Sequence, residues 1–247
     1  MGEYPVGASH TTARVVDALL EVDDAGVSEL ARELGLSKGT VHNHLQTLER
    51  LGVVRASDGR YRLGLALLDA GMTVRDRRSL YRSAREFVTE LAETTGESAV
   101  LAVAEGDDAV YVDVRRPERN HYRFRAGSRV PLHTTAPGKV LLAHRSADEI
   151  DRYATAVDAT PTDRTFDGSR ALRKELRSVE DRGLAFDRGE FSSDMRGVAA
   201  PITAGGTAVG ALGVQGPNER FSGKRLDEDL PGLVLSTAKQ AGLALDQ

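Results

Sequence analysis

The sequence predicts an α+β protein in two parts: a small helical domain ending in a β-hairpin, then a larger domain of mixed strands and helices, with a helical linker between. Three observations carry this. Apolar residues recur at helical spacing on both sides of a Gly-Leu-Ser break between Val27 and Val54. An Asp-Gly pair then separates two short extended runs. From Ser98 onward the apolar period switches to two.

Taken in order, Thr12 to Val22 places apolar residues at 15, 16, 19 and 20 and predicts a first helix. Val27, Leu30, Ala31 and Leu34 then mark the buried face of a second, and Val41, Leu45, Leu48 and Leu51 that of a third. Ser37 stands where an N-cap hydroxyl accepts from the amides of the first turn, and Gly52 closes the far end. Two short helices around such a turn make a helix-turn-helix, whose second helix is sized for the DNA major groove. With 41, 45, 48 and 51 turned inward, Lys38, Thr40, His42, Asn43 and Gln46 face out, headed by Ser37. Asn and Gln can bond adenine edges in two-pronged fashion, Lys can reach guanine or phosphate, and Thr can pack on a thymine methyl. A solvated face on an ordinary helical hairpin is the blander reading, and it leaves the turn and the hairpin behind it without a reason.

That hairpin runs Val53 to Ala56 and Arg60 to Leu63 around Ser57-Asp58-Gly59, and a hairpin directly after a recognition helix is a wing. Arg55, Arg60 and Arg62 are read as its contacts to phosphate or an adjacent minor groove. Residues 65–72 open a helical segment and Leu80 to Thr94 a second, so the domains are assigned as 1–64, a helical linker 65–79, and 80–247. The apolar positions of 65–72 are expected to pack on a second subunit or on the other domain.

In the larger part, Ser98–Ala104 and Ala109–Arg115 form a hairpin around Glu105-Gly106-Asp107-Asp108, and Tyr122-Arg123-Phe124 is read as a third short strand. A helix is expected over Thr134–His144, and Ser146 with Glu149 has the form of a capping box opening another. Leu172–Arg182 is a further amphipathic helix. Leu184–Asp187, Gly197–Ile202 and Ala208–Val214 complete the strands, with a final helix near Leu233–Leu245. One sheet with helices against it is the expected arrangement.

Composition narrows the function. The chain has 247 residues, no cysteine and a net charge of −4, so disulfides, thiolate chemistry and bulk electrostatic coating of nucleic acid are set aside. Between Ser37 and Arg62, however, five basic residues face two acidic ones, a local +3. Of the 33 basic residues 28 are Arg, a bias pointing to a GC-rich genome and a salt-loving prokaryotic source. No apolar run is long enough to span a membrane, and the N-terminus has neither a secretory nor a myristoylation pattern, so a cytoplasmic address is expected. Ala136-Pro137-Gly138-Lys139 fails as a P-loop because His133 and Val140 stand where Gly and Ser or Thr belong. His42 and His44 lie about 200° apart on a helix and cannot share a metal, and the other histidines fit no metal-ligand or hydrolase spacing. No catalytic residue, cofactor or metal is assigned.

The blocks LARELGLSKGTVHNHLQTLERLGVV, YRLGLALLDAG, RVPLHTTAPGKVLLA, RGLAFDRGEF, RGVAAPI and GALGVQGP, in that order, resemble the IclR family of transcriptional regulators over nearly the whole chain. The resemblance implies a winged helix-turn-helix followed by a GAF-like effector-binding domain, a homodimer or paired homotetramer, and a small effector that is commonly a carboxylate. It implies effector contacts at Val130, Ala136, Pro137, Gly138, Asp187, Met195, Gly197, Gly213 and Gln215, with Tyr122 and Phe124 as an apolar wall. Many relatives carry Cys at the position of Gly197 and Ser at those of Gly213 and Gln215. The glycines are therefore expected to open volume, and the amide edge at Thr134–Gly138 to offer an anion site at a helix N-terminus.

Two alternatives stay open from the residues alone. One is a DNA-binding protein whose C-terminal half serves only oligomerisation; the other, ranked last, is a sensor-domain enzyme. The partners expected on the leading reading are double-stranded DNA with a two-fold related operator and a small organic acid, and no membrane.

Overall fold

The computed structural model describes residues 4–116, 124–166 and 168–245, which divide into two compact units, 1–74 and 75–247. In the first, α1 (Gly7–Leu20), α2 (Val27–Leu34) and α3 (Lys38–Arg50) pack Val15, Leu19, Leu30, Val41, Leu45 and Leu48 into one core with Val54 and Tyr61. α2 ends where Gly35 adopts φ 67°, so the Leu36 amide can return to the Ala31 carbonyl at 2.9 Å. Ser37 then caps α3, its hydroxyl accepting from the Thr40 amide at 3.1 Å.

β2 (Val54–Ser57) and β3 (Arg60–Leu63) pair antiparallel, with Asp58 and Gly59 both at positive φ (53° and 75°), as a two-residue turn matched to strand twist requires. A two-residue strand, β1 (Ala25–Gly26), adds to β3 and makes a three-stranded sheet in the order β1-β3-β2. Sequence periodicity missed it because two residues carry no period.

Leu51 departs from the sequence reading: it is 67% exposed, not part of the buried face. It sits at the C-cap of α3, where the Gly52 turn carries the chain away from the core. α1 also starts earlier than its apolar spacing indicates, because its first turn is exposed.

α4 (Ala66–Asp76) has no buried residue, and Leu65, Leu68, Met72 and Val74 are exposed. α5 (Ser79–Thr95) follows after a break at Arg77-Arg78, where the Arg82 guanidinium donates to the Asp76 and Arg77 carbonyls at 3.0 and 2.8 Å.

The second unit is built on a six-stranded antiparallel sheet in the order β6-β5-β4-β9-β8-β7. Its strands are β4 (Ser98–Glu105), β5 (Asp108–Arg115), β6 (Arg129–Pro131), β7 (Ala185–Asp187), β8 (Met195–Ala204) and β9 (Thr207–Pro217). Alternation along each strand sorts two cores. Leu101, Val198, Leu212 and Val214 face α5 and α9 (Leu230–Leu245), while Val100, Ala102, Ala199 and Ala211 face α6 (Ala136–Ala143), α7 (Ala147–Ala156) and α8 (Ser169–Arg182). A shift in register between Leu101 and Ala102 sets Tyr111 opposite Ala102, on the α6 face.

The described strand that follows β5 in the chain is β6. Phe124 belongs to no strand, and Tyr122 and Arg123 fall outside the described residues. The Ser146–Glu149 capping box opens α7, with the Glu149 carboxylate accepting from the Ser146 amide at 3.1 Å.

Candidate functional site

In the first unit the core packing of Val41, Leu45 and Leu48 leaves Lys38, His42, Asn43 and Gln46 exposed on α3, with Ser37 ahead of them. Thr40 is half-buried and its hydroxyl lies 2.8 Å from that of Ser37, so its first bond is to the cap. His44 pairs instead with Thr12 of α1, Nδ1 to Oγ1 at 2.9 Å.

The wing arginines divide. Arg55 and Arg62 are exposed, whereas Arg60 is held within the domain: Nε meets Asp24 at 2.5 Å and Nη2 meets Glu29 at 3.2 Å. The Gly26 amide and Arg60 together keep the Glu29 carboxyl below its usual range. Arg60, read from the sequence as a phosphate contact, thus has acidic partners within its own domain, on the loop before β1 and on the first turn of α2. Sequence reasoning saw the charge and not the partners, which lie 31 and 36 residues away.

In the second unit the register brings most of the expected effector positions together. Asp187 pairs with Gly197, Gly197 with Gln215, and Gln215 with Ser98, a single row across four strands. The neighbouring row on that face contains Ala199, Gly213 and Val100. The Gln215 amide donates to the Tyr111 hydroxyl at 3.2 Å, the Tyr111 ring stacks on Phe124 at 4.9 Å, and Phe124 meets Phe191 at 4.8 Å. Met195 packs half-buried against the same core, which also holds Val130 and Ala136. Ser98 is buried, and its hydroxyl has no partner among the described residues.

Asp187 is 3% exposed, and its Oδ1 accepts from the amides of Gly189 and Glu190 at 2.8 and 3.2 Å. Burial, and then the neighbouring Glu190 carboxyl, push its pKa well above the usual carboxylate value. Burial also raises that of Glu190, but the Lys139 charge and the hydrogen bonds from Asp187, Lys139 and the Arg188 amide together hold Glu190 below its usual value. The Lys139 ammonium sits 2.6 Å from Glu190 and 3.4 Å from Glu175 and is 1% exposed. Lys139, Glu190, Phe191 and Ser98 were not singled out by the sequence reading. A lysine inside the apolar run from Val130 to Ala143 was the available signal, since such a group is buried only when paired.

Two expectations change. Ala136, Pro137 and Gly138 are buried, and the Thr135 hydroxyl accepts from the Gly138 amide at 3.3 Å, so the start of α6 is capped and packed where an open anion-binding edge was expected. Gly213 does not open volume either. A Cβ there would lie 2.6 Å from the Val198 carbonyl and 2.8 Å from the Ala199 Cβ, so the space is already taken by β8. At Gly197 the Gln215 side chain leans in, 3.3 Å from where a Cβ would stand.

A winged helix-turn-helix with a polar recognition face, followed by a unit with a buried polar cluster on one sheet face, defines a DNA-binding regulator with a sensor-type domain. Comparison with known proteins makes this specific. Residues 12–58 match the IclR helix-turn-helix domain, and residues 72–242 match the family described as bacterial transcriptional regulator IclR C-terminal. The HTH-type transcriptional regulator KdgR of Escherichia coli is 34% identical over 220 residues, which cover 87% of this chain and 83% of the relative. Among solved structures, the Thermotoga maritima IclR superposes with a TM-score of 0.80 at 26% identity, covering 98% of this chain and 99% of that one. An IclR homologue from Microbacterium hydrocarbonoxydans, complexed with 4-hydroxybenzoate, shares the fold at 22% identity, with a TM-score of 0.79 over 95% and 98% of the two chains. The chain belongs to the IclR family of transcriptional regulators.

Proposed function

We propose that the chain is a ligand-responsive regulator that reads a two-fold related operator and answers to a small organic acid held on the α6 face of its sheet. The observation that carries the first half is the exposed row Lys38, His42, Asn43 and Gln46 on a capped helix of the right length to enter a major groove. For the second half, the support is the gathering of Asp187, Gly197 and Gln215 in one row beside Tyr111 and Met195, and the fact that one protein of this fold was crystallised with an aromatic acid. The uncovered apolar residues of α4 suit a second copy of the chain, which would set two recognition helices about one helical turn of DNA apart. A ligand shifts such a dimer only by binding one arrangement of it better than another.

The test is DNA binding by fluorescence anisotropy, with double-stranded fragments from the neighbourhood of the chain's own gene. Gln46→Ala or Asn43→Ala is expected to relax base preference at one or two positions by about 1–3 kcal/mol. Gln215→Ala is expected to abolish the response of DNA affinity to aromatic and aliphatic carboxylates while leaving self-association unchanged. Preference for no fragment over scrambled competitor would defeat the reading. A parent whose DNA affinity answers to no carboxylate would instead favour a C-terminal unit that serves assembly alone, and a Gln215 variant that answers as the parent does would remove Gln215 from the effector site.

A further inference from the structure

We infer that the turn at Gly189, at the end of β7, is a binding site for a phosphate-type oxyanion, gripped by Arg164, Arg188 and Arg196. Nothing in the regulator reading above requires such a site; it adjoins the row that contains Gln215, whose member Asp187 accepts from the Gly189 amide at 2.8 Å.

The geometry begins with the glycine. Gly189 has φ 100°, and the point where a Cβ would stand is 2.7 Å from Nη1 of Arg196 and 3.4 Å from Nη1 of Arg164. Two guanidinium groups therefore lie over the same bare stretch of backbone, and a side chain there would push them off. Arg188 is the preceding residue, one step beyond the last ladder pair of β7 and β8, and its guanidinium lies 5.0 Å from the centre of the Phe186 ring. Arg164 donates to the Arg188 carbonyl at 3.2 Å, and Arg196 to the Met195 carbonyl at 2.9 Å. One anchoring bond on each leaves the other N–H groups of the fork to a ligand, because arginine carries five donors.

What such a cluster ordinarily holds is a carboxylate. Where Arg220 and Arg225 come together in this same unit they share Glu97, at 2.8 and 3.1 Å. Among the described residues none of the three arginines at the Gly189 turn makes an ion pair. Two acids beside the turn are committed elsewhere: Asp187 to backbone amides and Glu190 to Lys139. Burial lowers the pKa of Arg196, and the neighbouring charge of Arg164 lowers it further, against the opposing pull of Asp187 and Glu190. Three planar forks suit a tetrahedral dianion, whose several oxygens accept in different directions, better than a single carboxylate.

The experiment is calorimetric titration of the full chain with inorganic phosphate at ionic strength held constant with chloride. Saturable binding is expected, weakened about ten- to a hundred-fold in Arg196→Gln and in Arg164→Gln, the cost of one charge-assisted bond. Arg170→Gln, which removes the same charge from an exposed position of α8, is expected to bind phosphate as the parent does. A second arm compares a small phosphate ester with its parent alcohol. Competition between ester and inorganic phosphate assigns the site to a phosphorylated metabolite, while binding of inorganic phosphate alone assigns it to free phosphate. Melting temperatures establish that each variant is folded, and the exposed Arg164 keeps the test open should Arg196→Gln not fold. Absence of saturable phosphate binding, or equal affinity in parent and both turn variants, overturns the inference. So does a loss of DNA affinity in those variants without any phosphate binding, which would make the cluster a contact to the DNA backbone.

Discussion

Replacing Asp187 by Asn is expected to stabilise the second unit at neutral and alkaline pH. The buried carboxyl has a pKa raised well above the usual value by burial and by Glu190, so the folded protein retains a proton that the unfolded chain, with an ordinary pKa near about 3.9, releases. Between that ordinary value and the raised folded one, the folded state binds one proton more. Wild-type stability therefore falls as pH rises through this window, by up to about 1.4 kcal/mol per pH unit, and is flat above it. Asparagine carries no such proton. Its oxygen can still accept from the Gly189 and Glu190 amides as Oδ1 of Asp187 does, and its NH2 group can donate to Glu190 in place of the acid O–H. Glu190 slopes the other way, since its depressed pKa gives stability that is present above the ordinary value and lost as pH falls through the folded one; it is common to both proteins and drops out of their difference. The gap between variant and parent should thus open as pH rises, then level at the folded pKa of Asp187. Calorimetric unfolding between about pH 4.5 and about pH 8.5 measures it, each kcal/mol moving the melting temperature of a domain this size by roughly 2–4 °C. Parallel curves, or a parent more stable than the variant at the alkaline end, would refute the shared-proton account.

Three further substitutions separate structural from functional residues. Arg60→Ala is expected to lower the melting temperature of the first unit, by releasing Asp24 and Glu29, while leaving the salt dependence of DNA binding as it was. Arg62→Ala should instead weaken all DNA sequences alike and reduce the slope of log K against log salt by about 1, as loss of one phosphate contact does; anisotropy at several salt concentrations reads both. Gly213→Ser is expected to destabilise the second unit by about 1–3 kcal/mol, because its Cβ meets the Val198 carbonyl and Ala199. A urea midpoint equal to that of the parent would show that β8 yields there.

The parts of this molecule legible in the sequence are those whose conformation is decided within a few residues. Gly35 and Ser37 mark a helix end and a cap, and Asp58-Gly59 marks a tight hairpin turn, because each residue type suits its φ or its hydrogen bond without help from afar. The same locality accounts for the misplacements. Leu51 satisfies the helical spacing, yet the helix ends under it. The short pairing of β1 with β3 carries no period of its own.

The polar cluster on the α6 face was beyond such reading for a different reason. Lys139 and Glu190 stand 51 residues apart, and what joins them is the placing of α6 across β7 and β8, a long-range packing outcome. Yet the sequence did carry the constraint, in a lysine flanked by Gly138 and Val140 within an apolar helix. An ammonium in that setting is stable only with a carboxylate brought to it, so its presence predicts a buried acid without saying which. Burial, and then the acid that answers, Glu190, set the state of Asp187. With one positive charge between two carboxyls, the pair is most stable sharing a proton. On the proposed reading, an anionic effector arriving beside Asp187 would meet a carboxyl whose raised pKa favours the neutral acid over a second negative charge.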